Sequence, residues 1–349
     1  MLSSRLRIHV LLLCAVAYLH GDCQTAPDGT LPKDPAALMS LGLARNGLGA
    51  TDLKPWHIRG TFVLYDDNGK PDDKGVYEEW WAASGRYKLS FSSSKFTQTD
   101  YAKGGELYRE GVQDWSPTAE AIRSSLIEPL PAVPLSDFVL KMSDAAAGKT
   151  KMSCVSLTYP LRPNPEVART YFPTYCFDSM APVLLVSSAG SNLQVMYTKI
   201  GVLEGHYVAL ELHAMSETKP RFDVTLNVGE TMNQVPDSFP DVPSDARRVD
   251  LTKISFPASA APYGGVQLLI KAAPAYPQLA KDGHIQGRVV IKATIETDGH
   301  VDNLRVSDGP SSLHQAALDA VRHWVYRPFR VMGEARPVGI EINVIFMMG

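Results

Sequence analysis

Nine histidines, four cysteines and the adjacent carboxylates Glu78 and Glu79 are the residues of this chain best suited to chemistry. His206 and His213 stand seven apart in an alternating, strand-like run and so point to opposite faces. His314 and His323 stand nine apart in a helical run, about half a revolution out of phase. Neither pair can close on one metal ion. The sequence has no Gly-x-Ser-x-Gly elbow, no His-Glu-x-x-His and no phosphate-cradling glycine loop. Glu78 and Glu79 adjoin Trp80 and Trp81 in a strand-like run where neighbours face opposite ways. One is therefore expected in solvent and the other against a basic side chain. These residues point away from an enzyme, and no catalytic residue, metal or cofactor is expected.

The cysteines fall into two groups. Cys14 and Cys23 lie near the start, which leaves Cys154 and Cys176, each in a predicted strand (152–159 and 170–177), joined by the Pro-rich turn 161–165. In an oxidising compartment such a pair forms a disulfide across a hairpin; the alternative is two buried free thiols. Their spacing matches no zinc pattern.

The last eighty-odd residues carry the clearest pattern of elements. Ile285 to Ile295 alternates, with Val289, Ile291, Ala293 and Ile295 on one face and Arg288, Val290, Lys292 and Thr294 on the other, which predicts a sheet covered on one side. Asp298-Gly299 supplies the positive φ of a tight hairpin leading into Val301 to Ser307. Leu313, Ala317, Ala320, Val321 and Trp324 recur at three and four, an apolar stripe on a helix from about Ser312 to Tyr326, with Ser311 or Ser312 as its N-cap and Pro328 behind it. A closing strand spans Val338 to Phe346.

That order resembles the C-terminal domain of the TonB family: Tyr276-Pro277 in front, Gly287-x-Val289 opening the first strand, Asp298-Gly299 in the hairpin, Ala-Leu-x-Ala-Val-x-x-Trp ending at Trp324, then Pro328. The resemblance covers Tyr263 to Gly349. It implies a domain that takes up a short periplasmic segment of an outer-membrane transporter as an added strand. On that resemblance the acceptor edge is the last strand, through Gly339, Glu341, Asn343 and Ile345, with Tyr276 and Pro277 fixing the chain nearby. The alternative for Tyr276 and Pro277 is that they only cap a short helix.

Arg5 and Arg7 precede an apolar run from Ile8 to Leu19, and a polar stretch follows Cys23, so residues 1–23 read as a cleaved secretory signal peptide and the protein as periplasmic, membrane association left open. The run is shorter than the roughly twenty apolar residues that span a bilayer. His20-Gly21-Asp22 lacks the small residue expected directly before a lipidated Cys23. The family's energy transducers keep an anchor coupled to inner-membrane motor proteins and usually a long Pro-rich spacer; neither is evident here, which leaves engagement of a motor open.

With 349 residues, 45% of them hydrophobic, the chain is long enough for two domains. Its net charge of −3, and nine basic against eight acidic residues from Tyr263 on, give no basic footprint for nucleic acid. The reading is α+β: a loose segment at 24–51, a β-rich domain at 52–234, an exposed, semi-rigid Pro/Ala-rich linker at 235–262 and the ββαβ unit at 263–349. In the β-rich domain, strands are predicted over 56–65, 75–82, 86–91, 152–159, 169–177, 183–187, 193–200, 207–214 and 222–228, with helices at 118–128 and 135–142. That layout resembles the half-barrel of LolA-type lipoprotein carriers. The resemblance implies a lipid or acyl chain among Trp80, Trp81, Tyr87, Phe91 and Phe96; the alternative is that these aromatics fill the core.

Overall fold

The computed structural model describes residues 31–51, 53–158, 173–188, 193–256 and 266–348. The predicted signal peptide, the 161–165 turn and the 257–262 part of the linker lie outside them. Helix α1 (Pro35–Arg45) starts where the Asp34 carboxylate accepts the Ala37 N–H and Pro35 opens the first turn. Strands β1 (Trp56–Tyr65), β2 (Pro71–Ala83), β3 (Arg86–Ser93), β4 (Thr97–Lys103) and β5 (Glu106–Gly111) form an antiparallel meander. After α2 (Pro117–Ile127), a second meander runs through β6 (Val139–Ala147), β7 (Thr150–Thr158), β8 (Thr174–Asp178), β9 (Leu184–Ser188), β10 (Leu193–Leu203), β11 (His206–Ser216) and β12 (Lys219–Thr231). Because β12 pairs with β1, the two meanders become one curved sheet, to which β13 (Arg247–Arg248) is added on the outer side of β5.

One large apolar core lies against the sheet, with a smaller cluster around Met152, Cys154 and Cys176. Alternate residues of β1, Trp56, Ile58 and Phe62, are buried beside Tyr77, Tyr87, Phe91, Tyr175 and Phe177. Ala119, Ile122 and Leu126 of α2 belong to the same core, as do Leu38 and Met39 of α1. Each such large side chain contributes roughly 1.5–3 kcal/mol on burial. Gly60 of β1 sits opposite a bulge in β12, where a Cβ would lie 2.3 Å from the Thr225 carbonyl oxygen.

The C-terminal unit comprises β14 (Ser255–Phe256), β15 (Leu268–Ile270), α3 (Gln278–Asp282), β16 (Gly287–Ile295), β17 (Val301–Asp308), α4 (Ser311–Val321), the short strands β18 (Val325–Tyr326), β19 (Arg330–Val331) and β20 (Glu334–Ala335), and β21 (Val338–Phe346). Its sheet has the order β14-β21-β16-β17, with α4 on β16 and β17. The predicted stripe is inside, Leu313, Ala317, Ala320, Val321 and Trp324 all being buried, but the helix ends at Val321 and not near Tyr326, which lies in β18. Gly299 takes φ 92° in the hairpin, and a Cβ there would meet the Tyr326 carbonyl oxygen at 2.0 Å.

Several expectations are overturned. The 24–51 segment is not loose throughout, since α1 occupies 35–45. The helix expected at 135–142 is a 3₁₀ turn (Leu135–Asp137) followed by β6, whose pairing with β7 outweighs local helical spacing. The N-cap of α4 is Pro310, with no side-chain cap. The linker is exposed over much of 235–256 but is not a free spacer. Arg86 holds the carbonyls of Pro236 and Phe239, Lys103 holds those of Ser238 and Pro240, and Ile254 and Phe256 are buried. A chain so tied by its carbonyls has lost the freedom of a linker.

Candidate functional site

The outer edge of β21 divides into two stretches. β14 runs parallel beside its beginning, with Ser255 opposite Gly339 and Phe256 opposite Ile340. Gly339 therefore gives its N–H to the Ile254 carbonyl at 3.0 Å, and the parallel register sets the Phe256 carbonyl against the Glu341 N–H. This overturns the expectation of an edge open from Gly339 onward. Gly339 fixes the phase of the strand. Alternate residues present their main-chain groups to opposite sides, so Ile340, Ile342 and Val344 turn theirs to β16, and Asn343 and Ile345 turn theirs away. Among the described residues, no strand pairs with Asn343 or Ile345 on that side. Ile345 is 60% exposed, and the Asn343 Oδ1 atom is buried without a hydrogen-bond partner among the described residues.

Pro277 is the N-cap of α3, which fits the capping alternative. Tyr276 does more. Its hydroxyl donates to the Ile285 carbonyl at 2.7 Å and its ring meets Phe346, the last residue of β21, edge-on at 5.4 Å. The structure thus brings Tyr276, Asn343 and Ile345 to one end of the sheet and leaves Gly339 under β14. The two-residue strand β14 was not legible in the sequence, because a pairing that short has no periodicity to read.

Elsewhere the chemistry-bearing residues form pairs within the large sheet. Glu79 is fully buried and accepts from the Arg123 guanidinium at 2.8 Å and from the Tyr77 hydroxyl. Glu78, on the other face, contacts His57 Nε2 at 2.9 Å rather than standing free in solvent. Burial, with the Glu79 carboxylate beside it, pushes the Tyr77 phenol well up. Asp100 and Arg109 form a second buried pair, with nitrogen–oxygen distances of 2.6 and 2.7 Å. On the outer face Asp223 takes the Tyr65 hydroxyl at 2.5 Å and His213 Nδ1 at 2.9 Å, and the hydrogen bond to Asp223 raises the His213 imidazole. Cys154 and Cys176 are directly opposed on β7 and β8 and bonded to each other.

Of the five aromatics, Trp81, Tyr87 and Phe91 are buried in the core and Phe96 packs against it. Trp80 faces the other way, stacked on His57 at 4.7 Å. A small cleft of about 30 Å³ lies where α2 meets Arg327 and Phe329. An outer groove of about 300 Å³ lies between Trp80, Lys88 and the chain from Met232 to Asp241.

The order of elements, the buried stripe of α4 and the part-free edge strand set the C-terminal unit beside one known family. Residues 272–348 match the Gram-negative bacterial TonB protein C-terminal family. The TonB-like unit thus contains the motifs from Tyr276 to Pro328. No curated protein matches the chain. Among solved structures, the chain is similar to a domain assigned to outer membrane lipoprotein sorting from Vibrio parahaemolyticus (6% identity, TM-score 0.38, 58% of this chain and 95% of that one). It is also similar to a DUF1329 family protein from Desulfovibrio piger (8%, 0.39, 59% and 97%) and to a LolA superfamily protein from Nitrosomonas europaea (8%, 0.34, 58% and 96%). The matched part is the large sheet, outside the TonB-like unit.

Proposed function

We propose that this protein acts in the periplasm as a TonB-like component of the cell envelope. It takes up an extended N-terminal segment of an outer-membrane transporter by strand addition to β21. The observation that carries the reading is the phase of β21, which leaves both main-chain groups of Asn343 and Ile345 pointing off the sheet. A peptide laid there gains roughly four main-chain hydrogen bonds at about 0.5–1.5 kcal/mol each, and the exposed Ile345 side chain adds apolar contact.

Proline scanning along β21 tests this. Asn343→Pro deletes an outward donor, so circular dichroism and melting are expected to stay close to those of the parent while binding of synthetic transporter peptides is lost. Ile342→Pro and Val344→Pro each delete a bond to β16 and are expected to unfold the TonB-like unit. A folded Asn343→Pro protein that binds peptide with unchanged affinity sinks the reading.

A further inference from the structure

We infer that β14 is a built-in stop on the acceptor edge, so that the incoming segment is short, seated on about five residues from Ile342 to Phe346, and apolar at its far end. This rests on the strand-addition reading and adds the length and chemistry of the partner.

β14 already fills the positions beside Gly339 and Ile340. Its seat is firm. Phe256 is fully buried and meets Phe329 edge-on at 5.5 Å; Phe329 meets Trp115 at 5.3 Å; and the Arg109 guanidinium lies 4.4 Å from the Trp115 ring while paired with Asp100. A longer peptide would have to pull Phe256 out of this stack, returning a buried ring to water. Gly339 lets β14 lie flush, because a Cβ there would stand 3.0 Å from Ser255 Oγ. At the other end the edge runs out over Ile345, 60% exposed, and Met347, 75% exposed. Two exposed apolar side chains at the tip of an edge strand call for an apolar partner there.

The geometry makes separate statements about the free and the occupied protein. In the intact protein alone, the Gly339 and Glu341 amides are expected to exchange about a hundredfold more slowly than those of Asn343 and Ile345, read by NMR hydrogen exchange. Capped peptides of alternating threonine and valine, with one terminal lysine and lengths of three, five, seven and nine residues, then serve as probes. Affinity is expected to rise from three to five and stay within about twofold beyond, with Asn343 and Ile345 gaining protection. Glu341 exchanging as fast as Asn343 in the free protein overturns the stop. So does affinity still climbing about tenfold between five and nine residues. If Glu341 is protected but no peptide protects Asn343 or Ile345, strand addition fails and the footprint fails with it, while β14 stands as a cap on the edge.

Discussion

Glu120 lies in the cleft between α2 and Arg327, and burial lifts its carboxyl from 4.5 to about 7, with Glu128 and Asp100 adding to the rise and Arg123 and Arg327 opposing it. The folded chain keeps a proton that the unfolded chain gives up between those two values. Stability therefore falls as pH rises from about 4.5 to about 7, and the loss is complete above that range. Glu120→Gln keeps the shape and removes the ionisation. It is expected to add roughly 1–2 kcal/mol at pH 8, less than the full shift because Glu120 retains some contact with water, and nothing near pH 4.5. Urea melts at both values check this, and an equal effect at the two would show that the charge of Glu120 is not what costs stability. The neighbouring Glu79 shows the opposite solution to the same problem, since its charge is met by Arg123 and Tyr77.

At the scale of elements, α4 depends on Trp324, which is buried and gives its indole N–H to the Ala272 carbonyl at 2.8 Å. Trp324→Ala is expected to cost about 3–5 kcal/mol, and a thermal midpoint equal to the parent's would contradict the packing described. Across β7 and β8, reducing the Cys154–Cys176 bridge is expected to cost about 3 kcal/mol; peptide mapping without reductant that finds both thiols free removes the basis for that figure. Elements such as α4, β16 and β21 were legible because apolar residues mark their buried faces. β4 and β5 were not, because Gln98, Asp100 and Arg109 are buried there, which inverts the pattern that alternation relies on. α1 had a readable start in Asp34-Pro35, hidden by the small residues that follow. The site was half legible. The alternation of β21 placed Asn343 and Ile345 together, whereas nothing in the sequence marks the partner that covers Gly339.

In the molecule as a whole, the TonB-like unit and the large sheet share one apolar core rather than hanging on a tether. Arg327, buried, donates to the carbonyls of Glu128 and Leu130, Ser84 donates to the Met332 carbonyl at 2.9 Å, and Phe329 lies against Trp115. Replacing both Arg327 and Phe329 by alanine removes their ties, leaving the one from Ser84, and is expected to split one calorimetric transition into two and to increase the radius of gyration. A single transition in the double variant would show that the two units do not depend on this seam. The strand order of the large sheet reaches further, into the life of the chain before it is folded. Within each meander, β1 to β5 and β6 to β12, neighbours in sequence lie side by side, β5 and β6 stand at opposite ends of the sheet, and the two meanders join where β1 meets β12. Each meander can assemble from local contacts as soon as its own residues emerge, but β1, made first, must wait for β12, the last strand of the second meander. During synthesis its flank stays open to the wrong partner, so the sheet's vulnerable interval is set by how long the chain takes to deliver β12.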